Sequence, residues 1–309
     1  MLKVLVTNDD GVWAPGIIAI ASRLAQHAEV VVVAPEKPNS ARSHCITLHK
    51  PLRLNRMPPY GLAPGAGSLD VYACSGTPVD CIVLGVDHVC ADEKPDLVIS
   101  GINDGYNVAE DLIYSGTVGG AVEGAINRIP AFSISQGSFP GVDFEASAAL
   151  VDLAISAIVY GSSYSWHGTQ RDELQERSGE TLPGMLDFAA LDHDGNADCY
   201  PQPGEWWPEG LGNRPCINLN LPRIPAESIR GLCWAVAGQR DYMDVVQRRE
   251  DPFGREYFWI AGERVLMEEQ PGTDTWALSR GLMSATPMLY DQTAHADLEL
   301  LRSLRANHG

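Results

Sequence analysis

Apolar, largely β-branched runs recur along the first half of the chain, at Lys3–Thr7, Val30–Ala34, Asp96–Ser100 and Ile129–Ser135, with a shorter one at Leu69–Ser75. Runs this continuous suit strands covered on both faces, the condition of a parallel sheet. Helical periodicity lies between them. Pro15-Gly16 opens a stretch with Ile17, Ile20, Ala21 and Leu24 on one face, and Val79–Val89 carries Val79, Ile82, Val83 and Val86. Val118–Asn127 also reads as helix, as does the strongly apolar Phe144–Tyr160, which Gly161 closes. Strand and helix in alternation predict an α/β fold with a doubly wound, mostly parallel sheet.

The second half is less regular. Residues 162–213 are rich in Ser, Gly, Asp, Glu and Pro and are expected to form an insertion projecting from the core. Within it, Asp192–Asp198 resembles a calcium loop but lacks the third early ligand and the terminal Glu, so it reads as a solvated acidic loop. The sheet is expected to resume at Cys216–Leu221, Tyr257–Ala261 to be one arm of a hairpin, and Asp291–Arg305 to be a final amphipathic helix.

The formal charge of −18 over 309 residues opposes broad binding to nucleic acid or anionic membranes. It leaves room for small phosphorylated substrates, because a bound cation reverses the field locally. Seven cysteines with no Cys-x-x-Cys pair do not suggest a disulfide framework or a zinc knuckle. There is no apolar run of membrane-spanning length and no apolar leader, so the expectation is a cytoplasmic protein.

The polar loops after three of these strands, at 8–11, 35–43 and 101–117, would lie together at the carboxyl edge of the sheet, where open α/β folds bind ligands. The first holds Asp9 and Asp10, two acids that are expensive to place beside a core without a cation. Gly11 permits a turn that brings both toward one ion; the alternative is a plain Asn-Asp-Asp-Gly surface turn. Ser40 offers a neutral oxygen or is part of an ordinary strand exit. Asn103 and Asn107 are further polar donors and acceptors or simply turn formers. Ser115-Gly116-Thr117 opens a helix, where free amides favour phosphate, or is only a cap. Thr77-Pro78 with Asp80 reads as a structural helix start. Taken together, two anionic and two neutral oxygens suit one hard cation such as Mg²⁺ or Mn²⁺, a Lewis acid for phosphate-ester hydrolysis. A nicotinamide-binding reading fails: the first strand is followed by Asn-Asp-Asp-Gly, not Gly-x-Gly-x-x-Gly.

In their order and spacing these segments resemble the SurE survival-protein family of metal-dependent 5′-nucleotidases. The resemblance rests on Thr7-Asn-Asp-Asp-Gly11, Val33-Ala-Pro35 with Ser40, Ile46-Thr47, Gly76–Cys81, Pro95–Asn103, Ser115–Val118, Glu123-Gly124 and the stretch Asp251–Gly254 through Tyr257 and Trp259. It implies a Rossmann-like core and one divalent ion per subunit held by Asp9, Asp10, Ser40 and Asn103. Asn107, Ser115, Gly116 and Thr117 would surround the phosphate, and Asp9, Asp10 and Asn107 would carry the catalysis. It implies nucleoside 5′- and 3′-monophosphates as substrates, short polyphosphate in some members, and a homodimer or homotetramer. The implied organisation is a single domain: core 1–160 and 214–238, insertion 161–213, and an oligomerisation hairpin with a C-terminal helix over 239–309. The alternative is a nucleotide sensor that binds without turnover. Three positions depart from the family pattern: Asn39 stands where Arg is common, Glu36 where Asp is common, and Cys45 follows His44 where Ser is common. His44 itself is expected to be a structural, hydrogen-bonded histidine rather than a substrate contact.

Overall fold

A computed structural model of the chain describes residues 1–61, 68–160, 185–187, 216–229, 231–266, 270–293 and 298. The first apolar run is β1 (Lys3–Thr7); α1 (Pro15–Leu24) follows, with Pro15 in its first turn, and leads to β2 (Glu29–Pro35). Then come β3 (Leu54–Met57), β4 (Leu69–Cys74) and α2 (Pro78–Leu84), which continues into a π-helical turn at Gly85–Val89. The first half is completed by β5 (Leu97–Asp104), α3 (Asp111–Tyr114), α4 (Gly116–Ile126), β6 (Ala131–Gln136) and α5 (Phe144–Tyr160). Beyond it lie β7 (Met185–Asp187), β8 (Cys216–Leu221), β9 (Gly231–Trp234), β10 (Arg240–Glu250), β11 (Glu256–Leu266), α6 (Asp274–Ser279) and β12 (Met283–Met288).

Ten of these strands form one sheet, in the order β3-β4-β2-β1-β5-β6-β8-β12-β9-β7. Every pairing from β4 to β8 is parallel, as the apolar runs predict. Antiparallel pairings stand toward the margins, β3 on β4, β12 on β8 and β7 on β9.

Burial on both faces accounts for the unbroken apolar runs. Val4 and Val6 of β1 and Val30 and Val32 of β2 join Ile17, Ile20 and Leu24 of α1 and Val151, Ala154 and Ile155 of α5. The intervening Leu5, Val31 and Val33 point the opposite way, into a cluster with Cys81 and Ile82 of α2 and Ala121 and Ala125 of α4. Each large side chain so buried contributes about 1.5–3 kcal/mol before chain entropy is set against it.

The structure departs from the sequence reading in identifiable places. Residues 101–104, expected in a loop, continue β5: Asn103 pairs with Ser135 and Asp104 with Gln136 across an irregularity after Ser100. Gly, Asn and Asp are poor strand formers in isolation, and pairing to β6 overrides that preference. Met185–Asp187, inside the stretch expected to project from the core, is an edge strand of the sheet. The acidic loop at 192–198 lies outside the described residues, as does the Asp291–Arg305 helix apart from residue 298 and residues 291–293, which are not helical. β10 and β11 pair from Arg240–Leu266 to Glu250–Glu256 as a separate two-stranded ribbon, of which the sequence reading held one short arm.

Phe132 of β6 is wholly buried in the middle of this arrangement. Phe132→Ala should destabilise the protein by about 3–5 kcal/mol, read as a lower urea midpoint. A midpoint equal to the parent's would contradict the central place of β6.

Candidate active site

β2, β1 and β5 are neighbours in the sheet, so the loops leaving their carboxyl ends emerge side by side. The turn after β1 is set by Asn8, whose Oδ1 accepts the Gly11 N–H at 3.1 Å and whose Nδ2 donates to the Gly11 carbonyl at 3.0 Å. Gly11 takes a φ of +104°, which the missing Cβ permits. Asp9 and Asp10 sit inside this turn.

Asp9 is 4% exposed, and its Oδ1 accepts the Thr117 hydroxyl at 2.7 Å. Burial is the largest influence on it and pushes its pKa above the ordinary carboxylate value; the Thr117 hydroxyl and the backbone amides of Thr117 and Gly116 at the start of α4 oppose the shift. A Cβ at position 116 would lie 3.0 Å from Asp9 Cβ and Oδ2, so glycine there is what lets the carboxylate approach the helix start. For Asp10, burial and then repulsion from Asp9 raise the pKa to about 6, with Asp104 adding to the repulsion. The Asp104 N–H, donated to Asp10 Oδ2 at 3.2 Å, opposes this weakly. Among the described residues neither carboxylate forms an ion pair with a lysine or arginine.

The other residues expected at the site divide into two groups. The loop bearing Ser40 is tied by its backbone to the turn after β1, the Asn39 N–H donating to the Asp9 carbonyl at 2.7 Å and the Pro35 carbonyl accepting the Val12 N–H at 2.8 Å, while Ser40 itself is exposed. Asn103, whose Nδ2 donates to the Gly105 carbonyl at 2.9 Å, directly precedes the residue bonded to Asp10. Ser115 caps α4, its Oγ accepting the Val118 N–H at 3.1 Å. Thr117, expected beside a phosphate, gives its hydroxyl to Asp9.

Asn107 is held by β6 and β8. Its N–H donates to Asn220 Oδ1 at 2.9 Å and its Nδ2 to Ser135 Oγ at 2.8 Å, while its carbonyl accepts from Asn218 Nδ2 at 2.8 Å and Asn220 Nδ2 at 3.0 Å. Ser135, Asn218 and Asn220, which hold Asn107, and the Asp104 amide, which meets Asp10, are contacts to the candidate residues that the sequence reading missed. A signal for three of them was present: Ser133 and Ser135, and Asn218 and Asn220, are polar residues two apart in fully buried strands that are, Gln136 aside, otherwise apolar. The Asp80 helix start is as expected, with Thr77 N–H donating to Asp80 Oδ2 at 2.8 Å and Asp80 N–H to Thr77 Oγ1 at 3.2 Å.

The donor types at this rim fit a hard divalent cation: two uncompensated carboxylates, a hydroxyl and an amide oxygen, with no thiol or imidazole. Among the described residues no group of three His, Cys, Asp or Glu gathers as a metal cluster, so an ion here would draw on the neutral oxygens as well.

The family model described as Survival protein SurE matches residues 4–244. The chain belongs to the SurE family. Among its relatives, a 5′-nucleotidase SurE of Citrifermentans bemidjiense is 37% identical over 304 residues, 98% of each chain. A 5′-nucleotidase SurE of Moorella thermoacetica is 36% identical over 295 residues, 96% of this chain and 93% of that one. The crystal structure of the SurE protein from Aquifex aeolicus superposes with a TM-score of 0.67 at 29% identity, covering 98% of this chain and 99% of the other. This SurE-family chain thus matches its relatives along nearly its whole length. No helix among the described residues is long and apolar enough to cross a membrane.

The Asp10 shift gives a signed prediction for the metal-free protein. Its folded pKa of about 6 exceeds the ordinary 3.8, so between those values the folded state binds more protons than the unfolded one. Stability then falls as pH rises through that window and stays lowered above it. In chelator-treated protein, Asp10→Asn should raise the melting temperature by roughly two degrees or more at neutral pH, and the gain should vanish near pH 4. Scanning fluorimetry of parent and variant at both pH values checks it; an Asn variant that melts no higher at neutral pH contradicts the charge balance described.

Proposed function

We propose that this chain is a metal-dependent 5′-nucleotidase, a phosphomonoesterase that releases inorganic phosphate from nucleoside 5′-monophosphates. The observation that carries the reading is the adjacent pair of Asp9, buried, and Asp10, partly buried, both with raised pKa at the carboxyl edge of the sheet, with the start of α4 facing Asp9. Membership of the SurE family, with relatives named 5′-nucleotidase, agrees with it. A sensor that binds nucleotide without turnover would need the same fold, and nothing in the site favours it.

In this reading Asp9, Asp10, Ser40 and Asn103 hold one divalent ion, Mg²⁺ or Mn²⁺, which would supply Lewis acidity to the phosphoryl oxygens. Asn107, Ser115, Gly116 and Thr117 form the phosphate side, because the positive end of α4 favours an anion, although the Gly116 and Thr117 amides there already serve Asp9. Thr117 also serves the acid pair, since its hydroxyl fixes one oxygen of Asp9. Asp9 orients the attacking water and accepts its proton, its carboxylate fixed in place by the Thr117 hydroxyl. Asn107 is immobilised at both backbone ends by the β8 asparagines, which suits a group that positions a substrate oxygen.

The substrate range extends in this proposal to 3′-monophosphates and short polyphosphate. The working form is a homodimer or homotetramer joined through the β10–β11 ribbon. Support comes from that ribbon's Val246, Phe258, Trp259 and Ile260, all exposed, and from the marginal stability of a lone two-stranded ribbon in water.

A phosphate-release assay with AMP, GMP and an aryl phosphate, run with Mg²⁺, with Mn²⁺ and after chelation, tests the reading. Turnover should require the metal, and Asp9→Asn should lower kcat by a factor of about 10² or more. Full activity after chelation or in that variant would refute it, and tight nucleotide binding without phosphate release would turn the assignment to the sensor.

A further inference from the structure

The segment from Asn39 to Thr47 is fastened along its length. Its Asn39 N–H donates to the Asp9 carbonyl at 2.7 Å, and its Ser43 N–H to the Tyr114 carbonyl at 2.9 Å. The Ser43 hydroxyl donates to the Ile113 carbonyl at 2.6 Å, and the Cys45 carbonyl accepts the Thr77 hydroxyl at 2.6 Å. Thr47 donates twice to Asp80, from its N–H at 2.8 Å and its hydroxyl at 2.7 Å. Between these backbone ties stands one pair of ionisable side chains: His44 Nε2 lies 2.9 Å from Glu123 Oε2. Glu123 is 9% exposed, and its other oxygen accepts the Asn127 Nδ2 at 3.1 Å, so the carboxylate is held from both sides.

The segment runs along one face of α4. A Cβ at Gly116 would meet the Asn39 carbonyl at 3.4 Å, and one at Gly119 would meet the Ser43 carbonyl at 2.6 Å. Positions 116, 119 and 123 share a helical face, so the segment passes from the helix start down two turns to the His44–Glu123 pair. Two of its residues, Ala41 and Ser43, have φ of +57° and +53°. Non-glycine residues there cost roughly 1 kcal/mol or more each, so this shape persists only where surrounding bonds impose it. Ser40 lies between the tie at Asp9 and those two strained residues.

We propose that His44 and Glu123 are positioning residues for the metal site, a clasp that presses this segment onto α4 and fixes Ser40 where it follows the Asn39 tie to the Asp9 carbonyl. Glu123 lies seven residues beyond Gly116, about 10 Å along the helix, so the clasp acts through the segment and not on the substrate. The inference rests on Ser40 as a metal ligand, and its test separates the two claims.

Mn²⁺ is titrated into chelator-treated full-length protein and the free ion is followed by electron paramagnetic resonance, with melting temperature recorded for every variant. His44→Ala and Glu123→Gln should each weaken Mn²⁺ binding by roughly tenfold, within the range seen when partners of metal ligands are removed. The double variant should be no worse than either single one, because the pair acts as a unit. His44→Gln, which keeps a donor for Glu123, should recover most of the affinity. In a Ser40→Ala background, His44→Ala should have no further effect. If Ser40→Ala weakens binding while His44→Ala and Glu123→Gln bind Mn²⁺ as the parent does, changing only the melting temperature, the clasp is overturned. If Ser40→Ala itself binds as the parent does, the ligand assignment falls and the clasp with it.

Discussion

Two carboxylates side by side at the mouth of a buried strand are the constraint around which this molecule is arranged. Asp9 and Asp10 lose solvation and repel each other, and the hydrogen bonds they receive do not offset those losses. Such a site persists only if the rest of the fold holds it. β1 is central in the sheet, with β2 and β5 on either side, so loops from three strands converge on the acids. α4 directs its first turn at Asp9, and glycine at 116 lets the carboxylate come close. The family's fold is the scaffold; the uncompensated charge is the part that calls for a ligand.

Ser115-Gly116-Thr117 reads in sequence as one phosphate cradle, but the structure divides the roles within it. Ser115 spends its hydroxyl on capping the helix, Gly116 provides space, and Thr117 turns its hydroxyl inward to Asp9. The first turn of α4 is therefore coupled to the acid pair. A change in the ionisation of Asp9 would be felt at the helix start, and any anion held there would in turn bear on Asp9.

Most of the core strands were legible because burial on both faces leaves an unmistakable apolar run, and α1, α2 and α4 because Pro15, Thr77 and Ser115 mark their starts; α3, within the stretch expected to be a loop, and α6 were not. Nor were β3, β7, β9 and β12: the first three are three or four residues long, too short for a period to show, β12 carries Ser, Thr and Pro among its six residues, and all are set by their neighbours in the sheet. The acids and the asparagines were visible as residue types out of place. What holds them was harder to see, since Asn107 depends on Asn218 and Asn220, more than a hundred residues away. Only the two-residue repeat of polar side chains in β6 and β8 hinted at that cradle.

Position 39 sharpens the argument about charge. The family resemblance leads one to expect an arginine there, beside the ligand serine. In this chain Asn39 gives its N–H to the Asp9 carbonyl and its side-chain amide to the Lys37 carbonyl at 2.8 Å, so it stiffens the turn and adds no positive charge. An arginine in that place would stabilise ionised carboxylates and the dianionic phosphate of a substrate alike. Without it, and with no ion pair from a lysine or arginine to Asp9 or Asp10 among the described residues, what the chain itself sets against their charge is the start of α4 at Asp9 and the Asp104 amide at Asp10. If one ion is held here as proposed, it is the partner that the carboxylates and the phosphate share, and the affinities for metal and for phosphate would be coupled through it.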